Sequence, residues 1–132
     1  MTITTAFRVL LANRPGEIAG LARSLAEVGV NIETGAVVAN GREAYFEFMV
    51  NDVGVTARVL KEREAPFQQV QVLQAWLRNR PGELARALAP LDEAGINIDS
   101  LYTIRTEESR NLMAIGCSDV ERADQLLSTE NK

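Results

Sequence analysis

The sequence predicts an α+β fold built from two copies of one β-α-β-β-α unit. The main evidence is an internal repeat, in which residues 13–19 (NRPGEIA) reappear as residues 79–85 (NRPGELA), 66 positions further along a chain of 132 residues. The same offset relates residues 27–33 to residues 93–99. Because 46% of the residues are hydrophobic and 24% are charged, as in ordinary globular proteins, each copy is expected to fold around a core.

The first strand and the first helix of each copy follow from hydrophobic periodicity. Residues 5–12 and 70–78 are rich in Val, Leu and aromatic residues, which predicts strands. After each Pro-Gly pair, apolar residues recur at helical spacing, which predicts a helix with one buried face. The face consists of Ile18, Leu21, Ala22, Leu25 and Val28 in the first copy, and of Leu84, Ala87, Leu88, Leu91 and Ala94 in the second.

Each copy continues with a hairpin and a second helix. Asn40-Gly41 joins the two strands of the first copy and is a strong signal for a tight hairpin turn. In the second copy the polar segment Glu107-Glu108-Ser109 takes this place, and beyond it the offset between the copies is 67. We therefore expect one extra residue in that turn. Asp52 and Asp119 are predicted to cap the N-termini of the second helices.

Residues 67–78 contain no turn signal and predict one long strand after Pro66. At roughly 3.3 Å per residue this strand spans about 40 Å, enough to close the first copy and to begin the second. The second copy has no such closing strand after its last helix, so its sheet is expected to have an unfilled edge, to be covered by a partner chain or by a rearranged strand. The predicted units are residues 1–69 and 70–132, with strand 67–78 shared between them.

The connectivity β-α-β-β-α-β is the ferredoxin-like plan, an antiparallel sheet with two helices on one face. Alternate strand residues are expected to face the helices: Phe7, Val9, Leu11, Phe46, Phe48 and Val50, and in the second copy Leu73, Ala75, Leu77, Met113, Ile115 and Cys117. The opposite face carries apolar side chains at Leu10, Tyr45, Met49 and Trp76. These are either scattered surface residues or part of a face or edge that packs against another subunit. The second interpretation predicts a homodimer.

The composition excludes several classes of site. The absence of histidine removes Ser-His-Asp and Cys-His catalysis and every His-ligated metal site. The single cysteine, Cys117, permits neither an internal disulfide nor a Cys-rich zinc site, and is expected to be a buried apolar residue. A formal charge of −4 argues against a nucleic-acid partner. Without a signal-peptide pattern or a long apolar run, we expect a cytoplasmic, non-catalytic protein with no membrane partner, no metal and no cofactor.

The feature with chemical content is Asn-Arg-Pro-Gly-Glu, at residues 13–17 and 79–83 between a strand and a helix. Such a junction directs free backbone N–H groups and the positive end of the helix dipole to one point, which suits a carboxylate. Glycine allows a close approach to the backbone, and Asn supplies both a donor and an acceptor for a zwitterion. The same residues also describe an ordinary helix start, in which the glutamates complement the dipole and the arginines are solvated.

The order strand, Asn-x-Pro-Gly, helix, Gly-[Val/Ile]-Asn-Ile, hairpin and helix resembles the ACT domain, present twice over nearly the whole chain. The two motif asparagines lie 18 residues apart in both copies, from Asn13 to Asn31 and from Asn79 to Asn97. The resemblance implies a regulatory protein of amino-acid metabolism that binds a small-molecule amino acid at its strand-helix loops, near interfaces between paired domains. It also implies a free-standing homodimer that either senses the amino acid or regulates a biosynthetic enzyme in trans.

Within that family, the motifs are most similar to the serine-binding regulatory domain of phosphoglycerate dehydrogenase, in which the loop Asn and the Asn before the second strand contact the effector. The implied ligand-binding residues of this chain are Leu11, Asn13, Pro15, Gly16, Asn31, Ile32, Leu77, Asn79, Pro81, Gly82, Asn97 and Ile98. Leu11 and Leu77 stand where that serine site has a histidine. This departure favours a more apolar amino acid than serine.

The alternative function is a protein-interaction subunit of a biosynthetic enzyme, without a ligand of its own. Residues 95–101 (GINIDSL) resemble acetolactate synthase small subunits, which keeps this alternative open. Two other uses of the same fold plan lack support. An RNA-binding module needs basic and aromatic strand motifs, and a metal chaperone needs a Cys-x-x-Cys loop, neither of which is present.

Overall fold

A computed structural model of the chain describes residues 2–130, with side chains described for residues 2–128. The strands are β1 (Thr2–Ala12), β2 (Ile32–Asn40), β3 (Glu43–Val50), β4 (Phe67–Arg78), β5 (Ile98–Glu107) and β6 (Arg110–Cys117). The helices are α1 (Glu17–Glu27), α2 (Val53–Glu62), α3 (Glu83–Glu93) and α4 (Val120–Glu130). This order confirms the predicted β-α-β-β-α pattern in both copies.

The described residues form two compact units. The first unit is Thr5–Val70, and the second consists of the described residues within 1–4 and 71–132. Strand order is β2-β3-β1-β4 in the first unit and β1-β4-β6-β5 in the second. The pairs β1·β3, β2·β3, β4·β6 and β5·β6 are antiparallel. Each unit therefore has the four-stranded ferredoxin-like sheet, which confirms the predicted α+β class.

The fourth strand of the second unit comes from the beginning of the chain. Residues 2–4 of β1 belong to this unit, in which β1 lies beside β4, and no strand follows α4 among the described residues. The edge that the sequence leaves unfilled is thus occupied by the same chain. The boundary between the units falls inside β4, between Val70 and Gln71, one residue from the sequence-based boundary.

Both hairpins turn over two residues. In the first, β2 ends at Asn40 opposite Glu43, and in the second, β5 ends at Glu107 opposite Arg110. The two turns are equally long because two residues separate the last paired positions in each. The prediction that the segment 107–109 holds the extra residue of the second copy is therefore wrong.

The extra residue is Ile104, in a bulge of β5. The register of β5 against β6 shifts between Thr103 and Arg105, whereas β2 pairs with β3 without a break at the equivalent Val37 and Val38. A bulge absorbs one residue by bending the strand locally, so the ladder on either side keeps its pairing. A sequence comparison cannot place such an insertion within a few residues, because the flanking strand residues differ between the copies.

The second helices begin as predicted. The Oδ1 atom of Asp52 accepts a hydrogen bond from the backbone N–H of Val55 at 3.1 Å, and Oδ1 of Asp119 accepts one from Arg122 at 3.1 Å. Each aspartate thus satisfies one of the backbone donors that the first helical turn leaves free, an arrangement that stabilises a helix by about 1 kcal/mol.

Each unit has its own hydrophobic core between its sheet and its helices. The first core consists of Phe7, Val9, Leu21, Leu25, Val30, Phe46, Phe48, Val59 and Leu60. The second consists of Leu73, Ala75, Leu91, Ile96, Ile115, Cys117, Ala123 and Leu127. The predicted helix-facing strand residues lie in these cores or pack against them, with Leu77 also buried. Burying a Leu or Phe side chain stabilises the folded chain by about 1.5–3 kcal/mol. The two cores therefore explain why both copies have apolar residues at these positions.

The apolar residues predicted on the opposite face of the sheets differ in exposure. Met49 is 4% exposed, Tyr45 is 54% exposed, and Leu10 and Trp76 are half-buried. Met49 is therefore buried without any second chain, and contact with another subunit is not needed to explain it. Of the four, Tyr45 keeps the largest exposed fraction.

Candidate functional site

The loop between β1 and α1 is held against the β2–β3 turn by Asn13. The backbone N–H of Asn13 donates to the carbonyl oxygen of Arg42 at 2.8 Å, and its side-chain Nδ2 donates to the carbonyl oxygen of Gly41 at 2.8 Å. With Nδ2 fixed in this way, the amide of the exposed Asn13 has its Oδ1 atom left as an acceptor.

The glycines that precede the first helices have left-handed backbones. Gly16 has φ 91° and Gly82 has φ 86°, a region that costs other residues about 1–2 kcal/mol. Neither position has a neighbour within 4 Å of an added Cβ, so backbone conformation rather than crowding accounts for glycine here. As the N-cap residue, each glycine also has no side chain that could accept from the first-turn amides of its helix.

Asn31 lies before β2 and is exposed. Its backbone N–H donates to Oδ1 of Asn51 at 2.8 Å, and the N–H of Asn51 donates back to the carbonyl oxygen of Asn31 at 3.3 Å. Among the residues that the structure describes, no partner hydrogen-bonds to the Asn31 side chain. The backbone here is therefore fixed while the amide is left for other contacts.

Asn13 and Asn31 are at opposite ends of β3. Asn13 is bound to the turn that precedes this strand, and Asn31 is bound to Asn51, which follows it. Since β3 has eight residues, its ends are about 24 Å apart. A single amino acid cannot contact both asparagines within one unit.

The other implied site residues of the first unit divide into exposed and core positions. Pro15 and Gly16 are exposed beside Asn13. Leu11 and Ile32 are half-buried and pack against the first core. The strand-helix loop thus presents Asn, Pro and Gly, with Leu11 packed below it against the core, whereas Ile32 packs against the core at the other end of β3, beside Asn31.

The second unit repeats this arrangement with different contacts. The backbone N–H of Asn79 donates to the carbonyl oxygen of Ser109 at 2.7 Å, but no hydrogen bond to its side chain occurs in the described part of the chain. Pro81 and Gly82 are exposed, whereas Leu77 is buried. The turn therefore holds this loop only through the backbone.

At the start of β5 the side-chain amide is engaged. Nδ2 of Asn97 donates to Oδ1 of Asp99 at 3.3 Å, and its backbone N–H donates to Oγ of Ser118 at 3.1 Å. Ile98 packs against the second core. The side-chain amide is thus engaged at the loop asparagine of the first unit and at the strand asparagine of the second.

The strand-helix loops also differ in their ion pairs. Glu83 is 6% exposed and accepts from Arg80 at 2.8 Å and from Arg86 at 2.9 Å. In the first unit, Glu17 lies 3.3 Å from Arg14, and glycine occupies the position equivalent to Arg86. The interpretation of the second motif arginine as merely solvated is wrong, because Arg80 is bound to a buried carboxylate.

Hydrogen bonds from Arg86 and then from Arg80 hold the pKa of Glu83 below its usual value. A carboxylate that accepts charged hydrogen bonds is stabilised in its ionised form. The signal for this cluster was present in the sequence as an Arg-x-x-Glu-x-x-Arg spacing at residues 80–86, which places all three side chains along one side of the first helical turns.

Metal and thiol chemistry find no support in the described residues. No group of three or more His, Cys, Asp or Glu residues there is arranged to hold a metal ion. Cys117 is buried, and burial raises the pKa of its thiol, so the reactive thiolate is disfavoured. In that same part of the chain, no helix is both long and apolar enough to span a membrane.

Comparison with known proteins identifies the second copy. Residues 71–132 match the family model of the ACT domain. No protein of curated function matches the sequence at a significant level.

Similar folds occur among solved structures. A protein from Bacteroides thetaiotaomicron has a TM-score of 0.87 at 19% identity, with 98% of this chain and 89% of that chain covered. The ligand-free regulatory subunit of aspartate kinase from Thermus thermophilus has a TM-score of 0.68 at 16% identity, with 99% and 96% covered. The aspartokinase alpha and beta subunits have a TM-score of 0.64 at 22% identity, with 98% and 96% covered.

The family match and the internal repeat together classify the chain. The matched residues lie in the second unit, and the first unit has the same strand order and the same strand-helix loop. The second unit therefore matches the ACT domain, and the first unit repeats its fold and its strand-helix loop, as in a tandem ACT protein.

Proposed function

We propose that the chain is a non-catalytic amino-acid sensor that regulates amino-acid metabolism, and that its ligand binds at the strand-helix loop of the first unit. The observation that carries the proposal is the combination of an uncapped helix start at Gly16 with a fixed acceptor at Asn13. Free amides at a helix N-terminus bind a carboxylate. The Oδ1 atom of Asn13 accepts from the ammonium group of the same ligand.

Asn31 joins this site from a second copy of the chain. Because about 24 Å separates the ends of β3, Asn31 of the same unit is out of reach. If the β2 strands of two copies run antiparallel, the start of β2 in one copy lies beside the β2–β3 turn of the other. That turn holds Asn13 through Gly41, so Asn13 and Asn31 meet across the dimer interface.

The edge of the first sheet favours such a pairing. β2 is the outer strand of the first unit, and residues 34–40 (TGAVVAN) carry no charge. Val37 is 46% exposed and Val38 is 64% exposed. An unpaired edge strand presents a row of backbone donors and acceptors, and without charged side chains it is a template for another strand.

Charges at the two ends of β2 support an antiparallel register centred on Val37. In this register Glu33 of one copy lies opposite Gly41 of the other and next to Arg42, so the two glutamates do not face each other. Opposite charges at neighbouring cross-strand positions stabilise pairing, whereas like charges destabilise it. Glu33→Lys and Arg42→Glu are each expected to weaken the dimer, and the double variant to restore it.

The second unit is less suited to the same use. The amide of Asn97 is bound to Asp99, and its outer strand β5 carries Arg105 and Glu107 beside a bulge. Charged residues and bulges on an edge strand oppose pairing with another chain. We therefore assign the ligand to the first unit.

A thermal-shift panel of the twenty amino acids tests the proposal. An amino acid at 100 times its dissociation constant adds about 2.7 kcal/mol of stability, which raises the melting temperature by several degrees. Asn13→Ala is expected to abolish the shift, while its matched control Asn79→Ala leaves it unchanged. A shift that survives Asn13→Ala, or one lost only with Asn79→Ala, would contradict the assignment.

The alternative is a regulatory subunit that binds an enzyme and has no ligand of its own. The similarity in fold to a regulatory subunit of aspartate kinase supports it, as does the engaged amide of Asn97. No shift with any amino acid, together with an intact dimer, is the outcome that favours this function.

A further inference from the structure

A cluster of arginines surrounds the only tryptophan of the chain. The side chain of Trp76 lies on the sheet face opposite the second core, because its neighbours Ala75 and Leu77 on β4 are buried beneath the helices. The guanidinium carbons of Arg110 and Arg105 lie 4.6 Å and 5.4 Å from the centre of the Trp76 ring. Cations at such distances are attracted to the indole.

A third guanidinium group lies on the same face. Arg78 is directly opposite Arg110 in the pairing of β4 with β6, and cross-strand partners share a face of the sheet. We call Trp76, Arg78, Arg105 and Arg110 the Trp76 cluster. All four residues belong to the second unit.

The cluster has more positive charge than its surroundings neutralise. Nε of Arg105 pairs with Glu107 at 3.0 Å. The exposed Arg78 and Arg110 form no ion pair with any carboxylate of the described residues. Like charges at directly opposed positions destabilise a sheet, so an added anion would relieve this repulsion.

The fold does not require these arginines, because the first unit has none of them. Register places Leu10 where the second unit has Trp76, Ala12 where it has Arg78, and Val38 where it has Arg105. The position of Arg110 is occupied by Glu43. The Trp76 cluster is therefore a surface property that distinguishes the two copies.

We propose that the Trp76 cluster is the docking surface for an acidic segment of a partner protein. A guanidinium group binds a carboxylate through two parallel hydrogen bonds, and the cluster offers Arg78 and Arg110 for this purpose. An extended segment places the side chains of alternate residues about 6.8 Å apart on one side, within reach of these long side chains. This docking does not depend on the amino-acid site of the first unit.

The charges and the covered ring favour a peptide over a nucleic acid. The chain has a formal charge of −4, so the electrostatic attraction that dominates nucleic-acid binding is absent outside the cluster. Single-strand binding also uses free aromatic faces for base stacking, and two guanidinium groups already lie over Trp76. The exposed Arg78 and Arg110, side by side at the ends of paired strands, suit the carboxylates of an extended peptide.

The single tryptophan provides a direct readout of binding. We would titrate the full chain with hexaglutamate at constant ionic strength and follow the emission of Trp76, with hexaglutamine as the uncharged control. A saturable change with hexaglutamate alone is expected. Arg78→Gln and Arg110→Gln should each weaken binding about tenfold, the usual effect of losing one charge-assisted hydrogen bond. Arg58→Gln, an equal charge change on the exposed side of α2, should leave the affinity unchanged.

Four outcomes would overturn the proposal. They are no response to hexaglutamate at millimolar concentration, equal weakening by Arg58→Gln, equal affinity for inorganic phosphate, and tighter binding of a single-stranded oligonucleotide of the same charge. The last would assign the surface to nucleic acid. None of these results bears on the thermal-shift panel, so the docking surface and the amino-acid site fail or stand separately.

Discussion

The two units have the same fold and different outer strands. β2 of the first unit has no charged residue from 34 to 40 and exposes 64% of Val38. β5 of the second unit has Arg105 at the equivalent position, Glu107 two residues later, and a bulge at Ile104. Edge strands that stay unpaired in solution commonly carry charges and bulges. The second edge thus carries features that oppose pairing, and the first edge lacks them, which is the difference on which the proposed dimer rests.

What the copies share is what the fold and the strand-helix loop require. Both retain the apolar core positions and the left-handed glycine before the first helix. What differs is surface chemistry: the pairing edge lies in one unit and the arginine cluster in the other. Duplication thus allows the two copies to keep one fold while their outer surfaces diverge.

The largest expected effect is on the proposed dimer, and it comes from placing a charge of the second edge strand, β5, on the first edge strand, β2. Val38→Arg copies Arg105 into β2, where the register centred on Val37 sets it opposite Ala36 and diagonally next to the same arginine of the second copy. Burying like charges in an interface costs several kcal/mol, so the dimer should weaken at least about a hundredfold. Light scattering across a concentration series measures this change.

Thr106→Lys is the matched control, because it adds a cation to an exposed position of the second edge. It should leave the dimer unchanged, with circular dichroism confirming that both variants fold. If Thr106→Lys dissociates the dimer while Val38→Arg does not, the roles of the two edges are reversed.

The second-largest expected effect is on stability, and it comes from a steric difference between the copies. Gly35 of β2 corresponds to Leu101 of β5 by register, yet a Cβ at Gly35 would lie 2.7 Å from Cε1 of Phe46 and 2.9 Å from the carbonyl oxygen of Glu47. Gly35→Ala is therefore expected to destabilise the chain by about 1–3 kcal/mol. Urea unfolding checks this value.

Gly54→Ala, inside α2, is the companion variant. The nearest atom to its added Cβ is at 3.9 Å, and alanine is favoured over glycine within a helix by about 1 kcal/mol. This variant should stabilise the chain. Equal effects of the two substitutions would show that contact at Gly35 is not what excludes a side chain.

The sequence predicted the elements well because each depends on local information. The two aspartate caps and the alternating core residues were identified from spacing alone. The bulge at Ile104 was missed because an inserted residue shifts a ladder without changing the local composition. The sequence predicted the open edge of the second unit but left its cover open between a partner chain and a rearranged strand, because pairing between segments about seventy residues apart leaves no local pattern.

The candidate site was predicted less completely. The motif indicated the loop around Asn13 and the position of Asn31, but only the register shows that β3 separates them. The three arginines around Trp76 were not singled out, because they come from three separate strands and become neighbours only in the sheet. Residue spacing identifies contacts along one element, while contacts across elements need the pairing.

A smaller change in the free energy of unfolding is expected at the hairpin turns, where a substitution in the second unit should stabilise the chain. Gly41 has φ 69° in the first turn, while Glu108 has φ 54° in the second. A left-handed backbone costs a residue with a side chain about 1–2 kcal/mol, so Glu108→Gly should stabilise the chain by about 1 kcal/mol. Gly41→Glu, the reverse change, should destabilise it by a similar amount. The difference in urea midpoints measures both, and a stabilising Gly41→Glu would contradict the account.

The smallest expected effect concerns acid stability. Arg86 and Arg80 lower the pKa of Glu83 in the folded chain, so folding favours the ionised carboxylate. This contribution is fully present above the unfolded pKa of about 4.3 and is lost as the pH falls through the lower folded pKa. Because both arginines are more than half exposed, solvent screening keeps the effect small.

Glu83→Gln should lower the melting temperature at pH 7 and reduce its fall between pH 5 and pH 3. Glu17→Gln, which removes a single longer ion pair, is the matched control in the first unit. Parallel pH profiles for Glu83→Gln and the unmodified chain would mean that the second loop is held by its backbone contacts and not by this carboxylate.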